Sequence, residues 1–69
     1  MTGDRLRELR TAAAWSRARL AQELRMSAET VWRWESGAYP IPASRVAHLD
    51  AVLGARIAEI GRKSAGVEA

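Results

Sequence analysis

The chain has no cysteine and a single histidine, His48. The first absence excludes disulfides and cysteine-based zinc sites, and one histidine does not make a metal centre. No metal and no cofactor is therefore expected. A glycine-rich phosphate loop is missing, as are internal repeats, low-complexity segments and the period-two alternation that marks strands. No apolar run approaches the roughly 18 residues of a membrane span. The opening MTGDRLREL carries charges where a secretory leader needs an apolar run. These absences lead to the expectation of a cytoplasmic protein without a membrane partner. Ser44, His48 and Asp50 lie near one another in sequence, but such a scatter lacks the orienting geometry of a triad, and no enzyme is expected.

With 69 residues the chain makes one small domain. A chain of this size buries only about 60% of its unfolded surface. Without disulfide or metal, tight helix packing or dimerisation remains to stabilise it. Ten of its eleven basic residues are arginine, and the net charge is +3. Arginine suits bidentate recognition of phosphate and of guanine. A GC-rich genome would give the same composition, so charge alone decides nothing.

What the chain does contain is helical periodicity. Thr2 and Asp4 are candidate caps for a first helix whose inner face is Leu6, Leu9 and Ala13, and Ala12-Ala13-Ala14 carries it to about Trp15. Trp15 itself is expected in the core. Ser16 caps a second helix, Arg17 to Leu24, with Leu20, Ala21 and Leu24 inward. The turn places Arg25 where glycine is usual, at a cost of about 1 kcal/mol. Ser27 caps a third helix that buries Val31 and Trp34 and ends at Gly37. Two prolines make 38–42 a loop. Pro42 can open the next helix as its first residue, and Val46, Leu49, Leu53, Ile57 and Ile60 then fall in register. Gly54 either breaks that stripe into two helices or bends one; a break is the preferred reading. The domain is taken as 1–63, with a disordered tail at 64–69.

Two short helices joined by a tight turn, 17–37, make a helix-turn-helix unit. LAQELRMSAETVWRWESG, with RLRELR before it and the proline loop and apolar helix after it, resembles the phage repressor and Cro family, the xenobiotic response element family. The resemblance covers roughly Gly3 to Ile60 and rests on Leu20, Ala21, Leu24, Met26, Val31, Trp34 and the closing Glu35-Ser36-Gly37. Arg25 departs from the usual glycine, and Arg17 replaces a glutamine common at that place. The resemblance implies an all-α, four- to five-helix lambda-repressor-like fold. It also implies a buried Arg10–Glu35 ion pair between the first and third helices.

Such a fold implies a sequence-specific, repressor-like transcriptional regulator that reads double-stranded DNA in the cytoplasm, associated with the nucleoid. Helix 28–36 would enter the major groove. Ala28, Glu29, Trp32 and Arg33 are the candidates for base readout. Arg33 suits guanine O6 and N7, or a phosphate instead; Glu29 suits cytosine N4, or serves only the helix dipole. Ala28 suits a thymine methyl. Trp32 packs on thymine methyls or sugars, folds back on the second helix, or faces a protein. Phosphate contacts are assigned to Ser16, Arg17, Ser27, Ser36, Tyr39 and Arg45. A homodimer is expected because one such helix reads only a few base pairs. Its candidate surface is Leu53, Ile57 and Ile60, which could equally close the monomer core. Two other readings stay open. One is a helix-turn-helix module that binds a protein, antitoxin-like or polymerase-binding. The other is an excisionase-like DNA-binding protein, which would need strands after the recognition helix.

Overall fold

The structure, a computed structural model, describes the backbone of residues 1–68 and the side chains of residues 1–63. Four helices follow one another: α1 (Gly3–Ala12), α2 (Arg17–Leu24), α3 (Ala28–Ser36) and α4 (Ala43–Glu68). The tail expected at 64–69 lies outside the residues whose side chains are described. The fold is all-α, a four-helix bundle consistent with a lambda-repressor-like helix-turn-helix domain.

Local chemistry sets the N-termini of α1, α2 and α3. The hydroxyls of Thr2, Ser16 and Ser27 accept from the backbone N–H three residues on, at 3.1, 3.0 and 3.3 Å. Each satisfies a donor that the first turn leaves unpaired, worth about 1 kcal/mol. The C-termini are less conventional. α1 stops at Ala12, short of the expected Trp15, because Ala14 turns left-handed at φ 58°. Trp15 N–H then closes back on the Arg10 carbonyl at 3.2 Å. Arg25 does the same after α2 at φ 56°, with Met26 N–H on the Ala21 carbonyl at 2.9 Å. Both residues occupy a conformation that costs a side chain about 1–2 kcal/mol. Gly37 ends α3 at φ 82°, where glycine carries no such cost.

Leu6, Leu20, Val31, Leu49 and Leu53 are fully buried, joined by Ala13, Ala21, Leu24 and Trp34. Each large side chain stabilises the fold by about 1.5–3 kcal/mol. Two expectations need correction here. Trp15 is half-buried on the core's rim rather than inside it, with the guanidiniums of Arg19 and Arg56 over its ring at 5.6 and 5.7 Å. α4 does not break at Gly54. The position is exposed with open space where a side chain would stand, so nothing there competes with the backbone ladder. Leu53 and Ile57 on either side pack on the same core, and one interior glycine costs only about 1 kcal/mol.

α4 crosses behind α1, where Arg56 donates from Nε to the Ala13 carbonyl at 3.1 Å. This contact satisfies an acceptor at the end of α1. At the other end of α1, backbone approaches backbone. A side chain on Gly3 would strike the Trp34 carbonyl oxygen and lie 2.7 Å from that of Glu35, at the end of α3. Gly3→Ala should therefore lower stability by about 1–3 kcal/mol, as overpacking does. Arg25→Gly should raise it by about 1 kcal/mol by removing the left-handed strain. Thermal melts of the two variants should move in opposite directions.

Candidate nucleic-acid interface

α2 and α3 are held at a fixed angle by apolar contact and by one acidic side chain. Leu20, Ala21 and Leu24 of α2 share the core with Val31 and Trp34 of α3. Glu35, on the same inner side of α3, is buried with only 1% of its side chain accessible. The structure brings Arg10 onto it in a two-pronged contact, Nε to Oε2 at 2.6 Å and Nη2 to Oε1 at 3.0 Å. Arg10 also donates from Nη1 to the Trp15 carbonyl at 3.0 Å, tying the α1–α2 linker to the same point.

Two more guanidiniums face this carboxylate. Arg17 donates from Nε to Oε1 at 3.2 Å, and Arg7 stands 3.7 Å away. The resemblance implied only Arg10 as a partner. Arg7 and Arg17 precede Glu35 by 28 and 18 residues in sequence, and no local spacing signals such contacts. Burial alone would raise the Glu35 pKa, but hydrogen bonds from Arg10 and Arg17, with their charges, outweigh it and bring the pKa below the ordinary value. One negative charge among three positive ones leaves a local excess of two. The excess is carried mainly by Arg7 and Arg17, whose side chains are about half exposed.

The outer arc of α3 is different in kind. Ala28, Glu29 and Ser36 are exposed, Trp32 is 50% exposed, and Arg33 is half-buried. Glu29 and Arg33 do not stand apart: Arg33 Nη2 donates to Glu29 Oε1 at 2.6 Å. Glutamate four residues before arginine is the favourable order for such a pair on a helix, a signal legible in the sequence. The Arg33 guanidinium also lies 5.3 Å from the centre of the Tyr39 ring. Tyr39 is 53% exposed and borders this arc.

The other candidate residues divide by what their atoms already do. Ser16 and Ser27 accept from backbone N–H groups, which leaves each hydroxyl hydrogen to donate, although Ser27 shares contact with Thr30 at 3.0 Å. Ser36 has its hydroxyl hydrogen on the Arg33 carbonyl at 3.1 Å, so a phosphate would have to displace that bond. Arg45 is exposed in the first turn of α4. Leu53 requires correction: it is fully buried in the monomer core and has no surface to offer a second subunit. Ile57 and Ile60 are half-buried, Ile57 against the core. Among the described residues no three His, Asp or Glu side chains converge as metal ligands. None of the described helices is long and apolar enough to cross a membrane.

Two short helices joined by a tight left-handed turn, the second with a polar and aromatic outer arc, define a helix-turn-helix. Residues 2–62 match the family model described as a helix-turn-helix domain, and the chain belongs to that family, a non-catalytic one capable of binding DNA. No curated protein and no solved structure matches the chain.

The Glu35 cluster generates the sharpest test of this geometry. Arg10→Ala should cost about 3 kcal/mol, the lower end for a broken buried pair, because Arg17 and Arg7 still face the carboxylate. Against a total of about 5–15 kcal/mol that is a large share, and a melt within a degree or two of wild type would refute it. The acid limb gives the sign. A pKa lowered in the folded state stabilises above the ordinary 4.5 and loses that stabilisation as pH falls through the lower folded value. Acid unfolding should therefore be less steep in Glu35→Gln than in wild type.

Proposed function

We propose that the chain is a sequence-specific, repressor-like regulator of transcription of the phage repressor and Cro type. In this reading α3 lies in the major groove of double-stranded DNA. The observation that carries it is the division of α3. Val31, Trp34 and Glu35 anchor the helix, while Ala28, Glu29, Trp32 and Arg33 stand outward along one arc. The major groove is wide enough for a helix, and its bases offer acceptors, donors and methyl groups that match these side chains. Arg33 addresses guanine O6 and N7, Ala28 a thymine methyl, and Trp32 thymine methyls or sugars.

Backbone contacts flank that arc. Arg17 keeps its Nε on Glu35 while its two outer nitrogens reach a phosphate, so one side chain serves both the fold and the DNA. Ser16, Ser27, Arg45 and the Tyr39 hydroxyl hold further phosphates, Ser36 does so in place of its bond to the Arg33 carbonyl, and these set affinity more than choice of sequence. A single α3 reads too few base pairs for a genome, so the acting species is a homodimer on half-sites about 34 Å apart. Ile57 and Ile60 remain as candidate surface for it. The setting would be the cytoplasm, on the nucleoid.

A second reading has its own observation. Trp32 and Tyr39 are the large exposed hydrophobic side chains of the described residues, and such surface also suits a protein partner, antitoxin-like or polymerase-binding. An excisionase-like form is disfavoured, because α4 occupies the segment where that fold needs strands.

Selection of bound sites from random DNA beside a nonspecific competitor separates these readings. The regulator should recover a two-fold-related site. Recovery of no preferred sequence, with negligible binding at low salt and a tight complex with a co-purified protein, would favour the interaction module. On the selected site, Arg17→Ala should weaken all sequences alike and reduce the salt slope by about one unit, while Arg33→Ala should cost about 1–3 kcal/mol and relax one base pair.

A further inference from the structure

Glu29 and Arg33 are each suited to a base of their own, cytosine and guanine. The structure gives a reason to treat them as one reader. The 2.6 Å contact commits a Glu29 oxygen to Arg33 Nη2, and the Tyr39 ring lies along the guanidinium at 5.3 Å. A carboxylate on one side and an aromatic face on another restrict a side chain that is otherwise rich in rotamers. A guanidinium has five donors in a rigid fork, and the single bond to Glu29 leaves four. Two of those suffice for guanine O6 and N7.

We infer that Glu29 and Tyr39 are positioning residues that hold Arg33 for guanine, and that Glu29 does not read a base itself. The inference rests on the proposed reading of DNA by α3. Its electrostatics differ from those of independent contacts. The Glu29–Arg33 pair is neutral overall, so the face it occupies gains little from general attraction to phosphate and depends on the guanine contact. Removing the Glu29 charge frees Arg33 for any nearby phosphate. Nonspecific affinity then rises while discrimination falls.

The test uses the full chain and the site recovered by selection, with every base pair substituted in turn. Glu29→Gln, Arg33→Ala and their double variant are compared, and melts establish that each is folded. Glu29→Gln should lose most of the discrimination at the same base pair that Arg33→Ala relaxes, by about tenfold or more. It should also bind random DNA more tightly than wild type. The double variant should discriminate no worse than Arg33→Ala alone, since two groups acting as one unit are not additive. Tyr39→Phe, which keeps the ring, should retain discrimination that Tyr39→Ala loses. Losses at two different base pairs that add in the double variant would overturn the inference and make Glu29 a reader in its own right. Full discrimination retained in Tyr39→Ala would remove Tyr39 from the device. A wild-type chain that selects no sequence would overturn the DNA reading itself, and with it this refinement.

Discussion

A carboxylate with almost no access to water must find positive partners inside the protein or give up its charge. Glu35 finds them on α1 and α2, in Arg10 and Arg17, with Arg7 standing further out. Since Arg10 also holds the Trp15 carbonyl, the α1–α2 linker is fixed at the same point. The benefit is directional more than energetic. Packed apolar residues often stabilise as well as a buried ion cluster, but they do not specify which donors must face which acceptors. Here the requirement fixes how the end of α3 sits against α1, and Gly3 lets the two backbones close to contact. A domain of 69 residues with a core of a few leucines, one valine and one tryptophan has little spare stability to set that angle by packing alone.

The same cluster connects the fold with the proposed DNA surface. It contains more positive than negative charge, and the excess lies on side chains that reach solvent near the start of α2. On the opposite arc of α3, Glu29 and Arg33 cancel one another. Charge that attracts phosphate and groups that discriminate bases would thus be carried by different side chains of the helix-turn-helix. Affinity and selectivity can then be altered separately, which is what a regulator searching a long duplex needs.

What could be read from the sequence follows from how local each cause is. Ser16, Ser27 and Gly37 act within one turn of their own position, and their residue types announce the helix ends. The left-handed Arg25 was legible from where the apolar pattern stopped. Ala14 was not, because an alanine gives no sign that it will turn left-handed after α1. Leu53 shows a different limit. Periodicity places Leu49, Leu53, Ile57 and Ile60 on one stripe, but it does not say where the stripe leaves the monomer core, and Leu53 lies wholly within it. Gly54 misled for a related reason: a glycine permits a break, and packing on both sides removed the occasion for one. At the candidate site, the exposed arc of α3 followed from angular spacing. The additional partners of Glu35 and the restraint of Arg33 by Tyr39 depend on tertiary approach, which no spacing encodes.

If α3 reads the major groove, guanine N7 reports on the contact directly. Dimethyl sulfate methylates guanine N7 in the major groove and adenine N3 in the minor groove, so one footprint distinguishes the two. With wild-type chain bound to its selected site, a guanine N7 in each half-site should be protected, and that protection should be lost in the complex with Arg33→Ala. Protection confined to adenine N3, or guanine N7 positions that remain fully reactive under saturating protein, would contradict major-groove reading by α3.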